Sequence, residues 1–202
     1  DINDDPVRPL KVKSFAMAIR NYENFLRDSS LSLQFDSILF NKNRIVLSNF
    51  NLKQLDHGKA TNSFSVPHCE LQGLSWDALL FDRRLQAQEA TLYDPLINYT
   101  VPEHAVPGKK KKNLFEYMTL VNKLIRLEDF NISNGTLHLS LPDEGSMQLE
   151  KTDLSVKSKR LLVSRRITEF EESLNSLQFK KGIIRFKGIS AGLLDVHYSG
   201  NE

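Results

Sequence analysis

Cysteine is almost missing: Cys69 is the single thiol in 202 residues. One thiol excludes an intramolecular disulfide and leaves no cysteine-rich zinc site. Long apolar runs are missing too, with no stretch of the roughly 18 residues that a membrane-spanning helix requires. Charge of one sign does not dominate: 27 Lys and Arg against 25 Asp and Glu leave a formal net charge of +2. That is too little for the basic footprint of a nucleic-acid binder. No signal-peptide pattern opens the chain. It begins at Asp1 in the polar stretch DINDDPVRP, as expected of a processed protein or a piece of a longer one.

Catalytic signatures are missing as well. No G-x-S-x-G, Walker A or G-x-G-x-x-G pattern occurs. The five histidines, His57, His68, His104, His138 and His197, form no H-x-H, H-x-x-H or H-E-x-x-H pair. A metal site would need ligands from distant strands. His68 and Cys69 adjoin in sequence, and neighbours on a strand point to opposite faces, so they make no nucleophile–base pair. Glu169, Glu171 and Glu172 read as a solvated face, and Lys109–Lys112 as a solvated linker entering a helix. Trp76, beside Leu74 and Leu79, reads as core rather than as a sugar-stacking platform. The chain is therefore expected to be non-enzymatic and free of cofactors.

What is present is globular composition, 40% hydrophobic and 26% charged, and a pattern stated twice about 100 residues apart. KVKSFAMAIRNYENFLRDSSLSLQFDSILF (11–40) is echoed by KKNLFEYMTLVNKLIRLEDFNISNGTLHL (111–139). In the first copy Phe15, Ile19, Tyr22 and Leu26 recur at helical spacing. In the second Leu114, Tyr117, Met118, Val121 and Ile125 do so. After each predicted helix comes period-two alternation, the mark of a strand with one buried face. Leu31, Leu33 and Phe35 lead, then the phase flips at Asp36-Ser37. The return strand, Ile45 to Leu52, flips again near Ser48-Asn49. In the second copy Asn134-Gly135 interrupts the phase before Leu137, Leu139 and Leu141. A flip of one residue turns later side chains to solvent unless a bulge restores them. LSNFNL (47–52) lies over LEKTDL (149–154), and LQAQEATLYDPLI (85–97) over LQFKKGIIRFKGI (177–189). Ser75 is a candidate N-cap for one short helical turn, SWDALL.

These readings predict a mainly β, β-dominated α+β protein: a curved antiparallel sheet from two repeated helix-plus-strands units. Residues 1–9 are a tail, 10–108 the first unit and 109–202 the second. Repeats favour growth by stacking over a globule built round one pocket.

LEDFNISNGTLHLSL (127–141) resembles the recurring strand phrase of the AsmA-like envelope proteins. VPHCELQGLSWDALLFDRRLQAQEATLYDPLINYT (66–100) is similar to another phrase of that group, ending at a proline followed by Ile and Tyr. The resemblance implies a repeating β-groove with an apolar interior. It also implies phospholipid transport or outer-membrane homeostasis in the periplasm of a Gram-negative cell envelope. The membrane would be reached through other parts of a longer chain. The partner would be a phospholipid or other acyl-chain ligand. The expected lining is Leu33, Phe35, Leu47, Phe50, Ile132, Leu137, Leu139, Leu154, Ile183 and Phe186. The competing expectation is an extracellular β-sandwich module that binds carbohydrate or protein.

Overall fold

The computed structural model describes residues 16–26, 30–56, 59–100, 125–141, 144–157 and 173–200. They form one ten-stranded sheet. The strands are β1 (Ala16–Leu26), β2 (Leu31–Asn41), β3 (Arg44–Asp56), β4 (Lys59–Gln72), β5 (Leu85–Tyr93), β6 (Leu96–Thr100), β7 (Ile125–Leu141), β8 (Gly145–Lys157), β9 (Leu174–Phe186) and β10 (Ile189–Ser199). The single helix among the described residues is α1 (Trp76–Phe81). Its cap is as the sequence suggests: the Ser75 hydroxyl accepts from the Ala78 amide at 3.2 Å. Trp76 is half-buried and donates its indole N–H to the Lys42 carbonyl at 2.6 Å, tying α1 to the β2–β3 turn.

The strands follow one another across the sheet in chain order. β5 and β6 are one broken strand: β5 pairs His68–Gln72 of β4, and β6 pairs Ser63–Ser65 of the same strand. Both then pair β7 in parallel. The expected all-antiparallel sheet is thus two antiparallel meanders joined by one parallel seam. A tight hairpin cannot make a parallel connection, and residues 101–124 separate β6 from β7 in the sequence. No second sheet packs on this one among the described residues.

The predicted first helix is strand β1, paired along its length with β2. The error has a physical cause. Asn21 lies in the left-handed region, φ 53°, and one such residue reverses the side-to-side alternation of a strand. Ile19 and Tyr22 then share a face at a spacing of three, which imitates a helical period. The helix-plus-strands unit therefore does not hold for the first copy. The second predicted helix, save Ile125, lies outside the described residues, as do Lys109–Lys112 and the Glu169, Glu171 and Glu172 cluster. Ile125 opens β7.

The same device recurs at one level across the sheet. Asn21, Asn49, Asp94, Asn134, Lys151 and Asp195 have φ between 48° and 55°. Registers place Asn21 and Asn49 opposite Asp36 of β2, and Asp94 beside Asn134. Asp195 lies opposite Lys180 of β9, which Lys151 also faces. Asn and Asp tolerate this conformation better than other side chains, so five of these six positions suit their residues. Asn49 and Lys151 hold the same place in the two aligned six-residue segments, third in LSNFNL and third in LEKTDL. The other aligned pair of breaks differs: Asp94-Pro95 interrupts a strand, whereas Lys187-Gly188 is the β9–β10 turn. There both residues have positive φ, 47° and 81°, as a two-residue hairpin of the mirror-image type requires.

Candidate functional site

Crossing the sheet along its registers gives rows of side chains that share a face. Above the crease one row runs Ile19, Ile38, Leu47, Cys69, Leu92, Ile132, Leu154, Leu177 and Tyr198. The next runs Met17, Phe40, Ile45, Leu71, Ala90, Phe130 and Val156. Below the crease, Leu33, Leu52, Phe64, Ile97, Leu137 and Leu149 form a third. The left-handed residues reverse alternation once in the strands that carry them, and β2, β4 and β9 change phase at the same level without one, so the rows on both sides of the crease keep to one face. The core cluster shows this directly. Val66, Cys69, Leu92 and Ile132 pack with Leu47, Phe130 and Leu154 from above the crease and with Phe50, Phe64 and Ile97 from at or below it. The flips of phase in the sequence are therefore what keeps the face apolar.

At the crease the row is Tyr22, Phe35, Phe50, Val66, Pro95, Gly135, Thr152, Phe179 and Val196. Tyr22 and Phe35 stack with ring centroids 4.9 Å apart, and Phe50 meets Phe64 edge to face at 6.0 Å. Gly135 is required by space: a Cβ there would sit 2.6 Å from Ile132 Cγ2 and 3.2 Å from Pro95 Cγ.

The opposite face is polar. One row reads Arg20, Ser37, Ser48, His68, Tyr93, Ser133, Asp153 and Gln178. Its hydrogen bonds run between strands: Asn98 Nδ2 donates to Ser63 Oγ at 2.9 Å, Asn131 Nδ2 to Glu89 Oε1 at 2.6 Å, and Asn98 Oδ1 lies 2.9 Å from His138 Nδ1. The crease carries its own amide–carboxylate pairs. Asn49 Nδ2 donates to Asp36 Oδ2 at 2.7 Å, Asn134 Nδ2 to Asp94 Oδ1, and the Asn134 amide to Asp153 Oδ1 at 2.8 Å.

Nine of the ten residues expected to line a groove stand on the apolar face. Phe35 and Ile132 are buried; Leu33, Leu47, Phe50, Leu137, Leu139 and Leu154 are half-buried. Phe186 closes the far end of the face beside the β9–β10 turn, with the Lys187 ammonium 5.2 Å from its ring centroid. Ile183 is the exception. It pairs with Gln148, which pairs with His138, and so stands on the polar face. Its misplacement follows from β9, where Phe179 and Gly182 share a face at a spacing of three although no residue there has a positive φ. Residues passed over by sequence reasoning include Val66, Leu92, Leu149 and Phe179, all buried on the apolar face. For Leu92 and Leu149 the signal was available in local alternation within β5 and β8, whereas Val66 and Phe179 stand at the crease, where the phase changes.

Cys69 sits in the middle of this face. Burial, and secondarily the Glu70 carboxylate, push its thiol from the ordinary 9.0 up to about 11. At neutral pH it is a neutral, inert packing group. His68 points the other way, against Tyr93 with ring centroids 5.3 Å apart, so no thiol–imidazole pair exists. No cluster of three metal-ligating side chains occurs among the described residues. None of their helices is long and apolar enough to cross a membrane. No protein-family model, curated protein or solved structure matches the chain.

Proposed function

We propose that this chain is a non-enzymatic lipid-binding segment whose apolar face holds acyl chains, with phospholipid as the ligand. The observation that carries this reading is continuity. Apolar rows run from β1 to β10 on one face of a single sheet, and α1 is the one helix among the described residues. A face of this kind gains free energy by covering itself, at about 25 cal/mol per Å² of apolar surface removed from water. Straight hydrocarbon chains match it, because they need no hydrogen-bond partners and can lie along the rows. The crease keeps the apolar rows above and below it on one face, with the fully buried Thr152 of β8 as a polar side chain in the crease row. The resemblance of 127–141 to the strand phrase of AsmA-like envelope proteins points the same way. It suggests the periplasm, and lipid movement toward the outer membrane, as the setting.

The test is native mass spectrometry of the purified protein, followed by solvent extraction and identification of bound lipid. The expected result is co-purifying phospholipid that is lost when Leu137 and Leu139 are both changed to Asp, with the β signature in circular dichroism retained. A lipid-free wild-type protein that takes up no phospholipid from vesicles would overturn the reading.

A further inference from the structure

Asn134-Gly135 is the one Asn-Gly pair in the chain, and neighbouring strands hold it from both sides. The Asn134 side-chain amide donates to the Asp94 carboxylate at the β5–β6 break, across the parallel seam. Its backbone amide donates to Asp153 Oδ1 of β8 at 2.8 Å. Asn134 is exposed, whereas Gly135 is buried. Pro95, which opens onto β6, lies against Gly135: a Cβ there would sit 3.2 Å from Pro95 Cγ. An Asn-Gly pair is chemically labile, because glycine brings its backbone nitrogen to the preceding side chain without steric hindrance. In the closed sheet that reaction is held back. Burial keeps solvent base from the Gly135 nitrogen, and the amide that would leave is tied to Asp94.

We propose that Asn134 is a deamidation site controlled by the β6–β7 seam. No hairpin closes this ladder, so it is the one to open first, and its opening uncovers Gly135. The Gly135 nitrogen then gives its proton to solvent base and attacks Asn134 Cγ. A bond forms between them, the Cγ–Nδ2 bond breaks, and Nδ2 leaves as ammonia with a proton from water. Water opens the cyclic imide to Asp, or to isoaspartate, which lengthens the main chain by one carbon. No oxidant or cofactor is consumed. Either product loses the donor to Asp94 and sets a new carboxylate beside Asp94 and Asp153, both exposed. Like charges on neighbouring strands repel, so the seam recloses less well and an opening is recorded in covalent form. The site is independent of what the apolar face holds.

Peptide mapping by mass spectrometry, after incubation in mildly alkaline buffer, supplies the test. The urea-unfolded chain should lose the Asn134 amide, and the folded chain should lose it at least about tenfold more slowly, because reaction waits on local opening. Asp94→Gly removes the acceptor and suits the φ of 52° at that position. It should speed the loss in the folded chain about tenfold, as expected when a hydrogen bond to a charged acceptor is removed. Asn134→Asp, which carries the product's charge, should lower hydrogen-exchange protection across β6–β7 and leave β3–β4 unchanged, with a smaller effect at high salt. An unfolded chain that keeps Asn134 intact overturns the site. Equal rates in the folded and unfolded chains, or an Asp94→Gly variant that reacts like wild type, overturn control by the seam. Unchanged β6–β7 protection in Asn134→Asp overturns the record.

Discussion

The left-handed residues make the strongest claim at the scale of single side chains. Asn49 has φ 50° and its amide donates to Asp36. An alanine there adopts a conformation that costs an L-residue about 1–2 kcal/mol and also loses the hydrogen bond. Asn49→Ala should therefore lower stability by about 2 kcal/mol in urea unfolding, whereas Asn49→Gly, free of the steric penalty, should lose about 1 kcal/mol or less. Equal losses would mean that the conformation itself costs nothing. Cys69 gives a pH signature. Its folded thiol titrates at about 11 instead of 9.0, so above pH 9 the unfolded chain holds fewer protons than the folded one. Stability should be fully present below pH 9 and fall as the pH climbs to about 11. Cys69→Ala should lack that part of the decline, and the difference between the two urea midpoints isolates it.

At the scale of elements, legibility followed local pattern. β2, β3, the short helix α1 and its Ser75 cap could be read because alternation, turn residues and capping chemistry act over a few positions. The phase flips were visible too, as was their need of a compensating device. The mistaken elements share one cause. A left-handed residue inside a strand sets apolar residues three apart, as a helix does, and β1 was read accordingly. Nothing in a single strand's sequence says whether a spacing of three is a helical turn or a reversal within a strand; its neighbours in the sheet decide. Ile183 went astray through a change of phase of another kind, since β9 reverses its alternation with no positive φ to mark the place. The shared face of Leu137 and Leu139 was legible because Asn134-Gly135, just before them, is a recognisable break.

The whole molecule is where the sequence was least informative. The parallel join of β5 and β6 to β7 depends on where the chain returns after Thr100, and no local pattern encodes that. That the described residues form a single sheet could not be read either, because alternation describes one face without saying what lies over it. One consequence does emerge at this scale. Every strand shares the crease, so the apolar face is preserved only if all the reversals keep to one level. Loss of the reversal in one strand would turn the apolar side chains on one side of the crease to the polar face. The lipid reading depends on that alignment.

The parallel join also bears on the order in which the sheet assembles. Within each meander most strands that follow one another in sequence pair through short turns, the longer links being residues 73–84 between β4 and β5 and 158–173 between β8 and β9, and all of these close smaller loops than the parallel join. The join closes a loop that includes all of residues 101–124, and loop closure of that length is both slower and entropically dearer. The two meanders should therefore form early and the β5–β7 ladder late. In native-state hydrogen exchange the amides linking Leu85–Tyr93 to Ile125–Ser133 should open at lower free energy than those of β3–β4. Uniform protection across all the ladders would show instead that the sheet unfolds as one unit. If the join does open first, the molecule parts into two four- or five-stranded sheets along a line that no hairpin crosses, and its weakest mechanical axis runs parallel to the strands rather than along the crease.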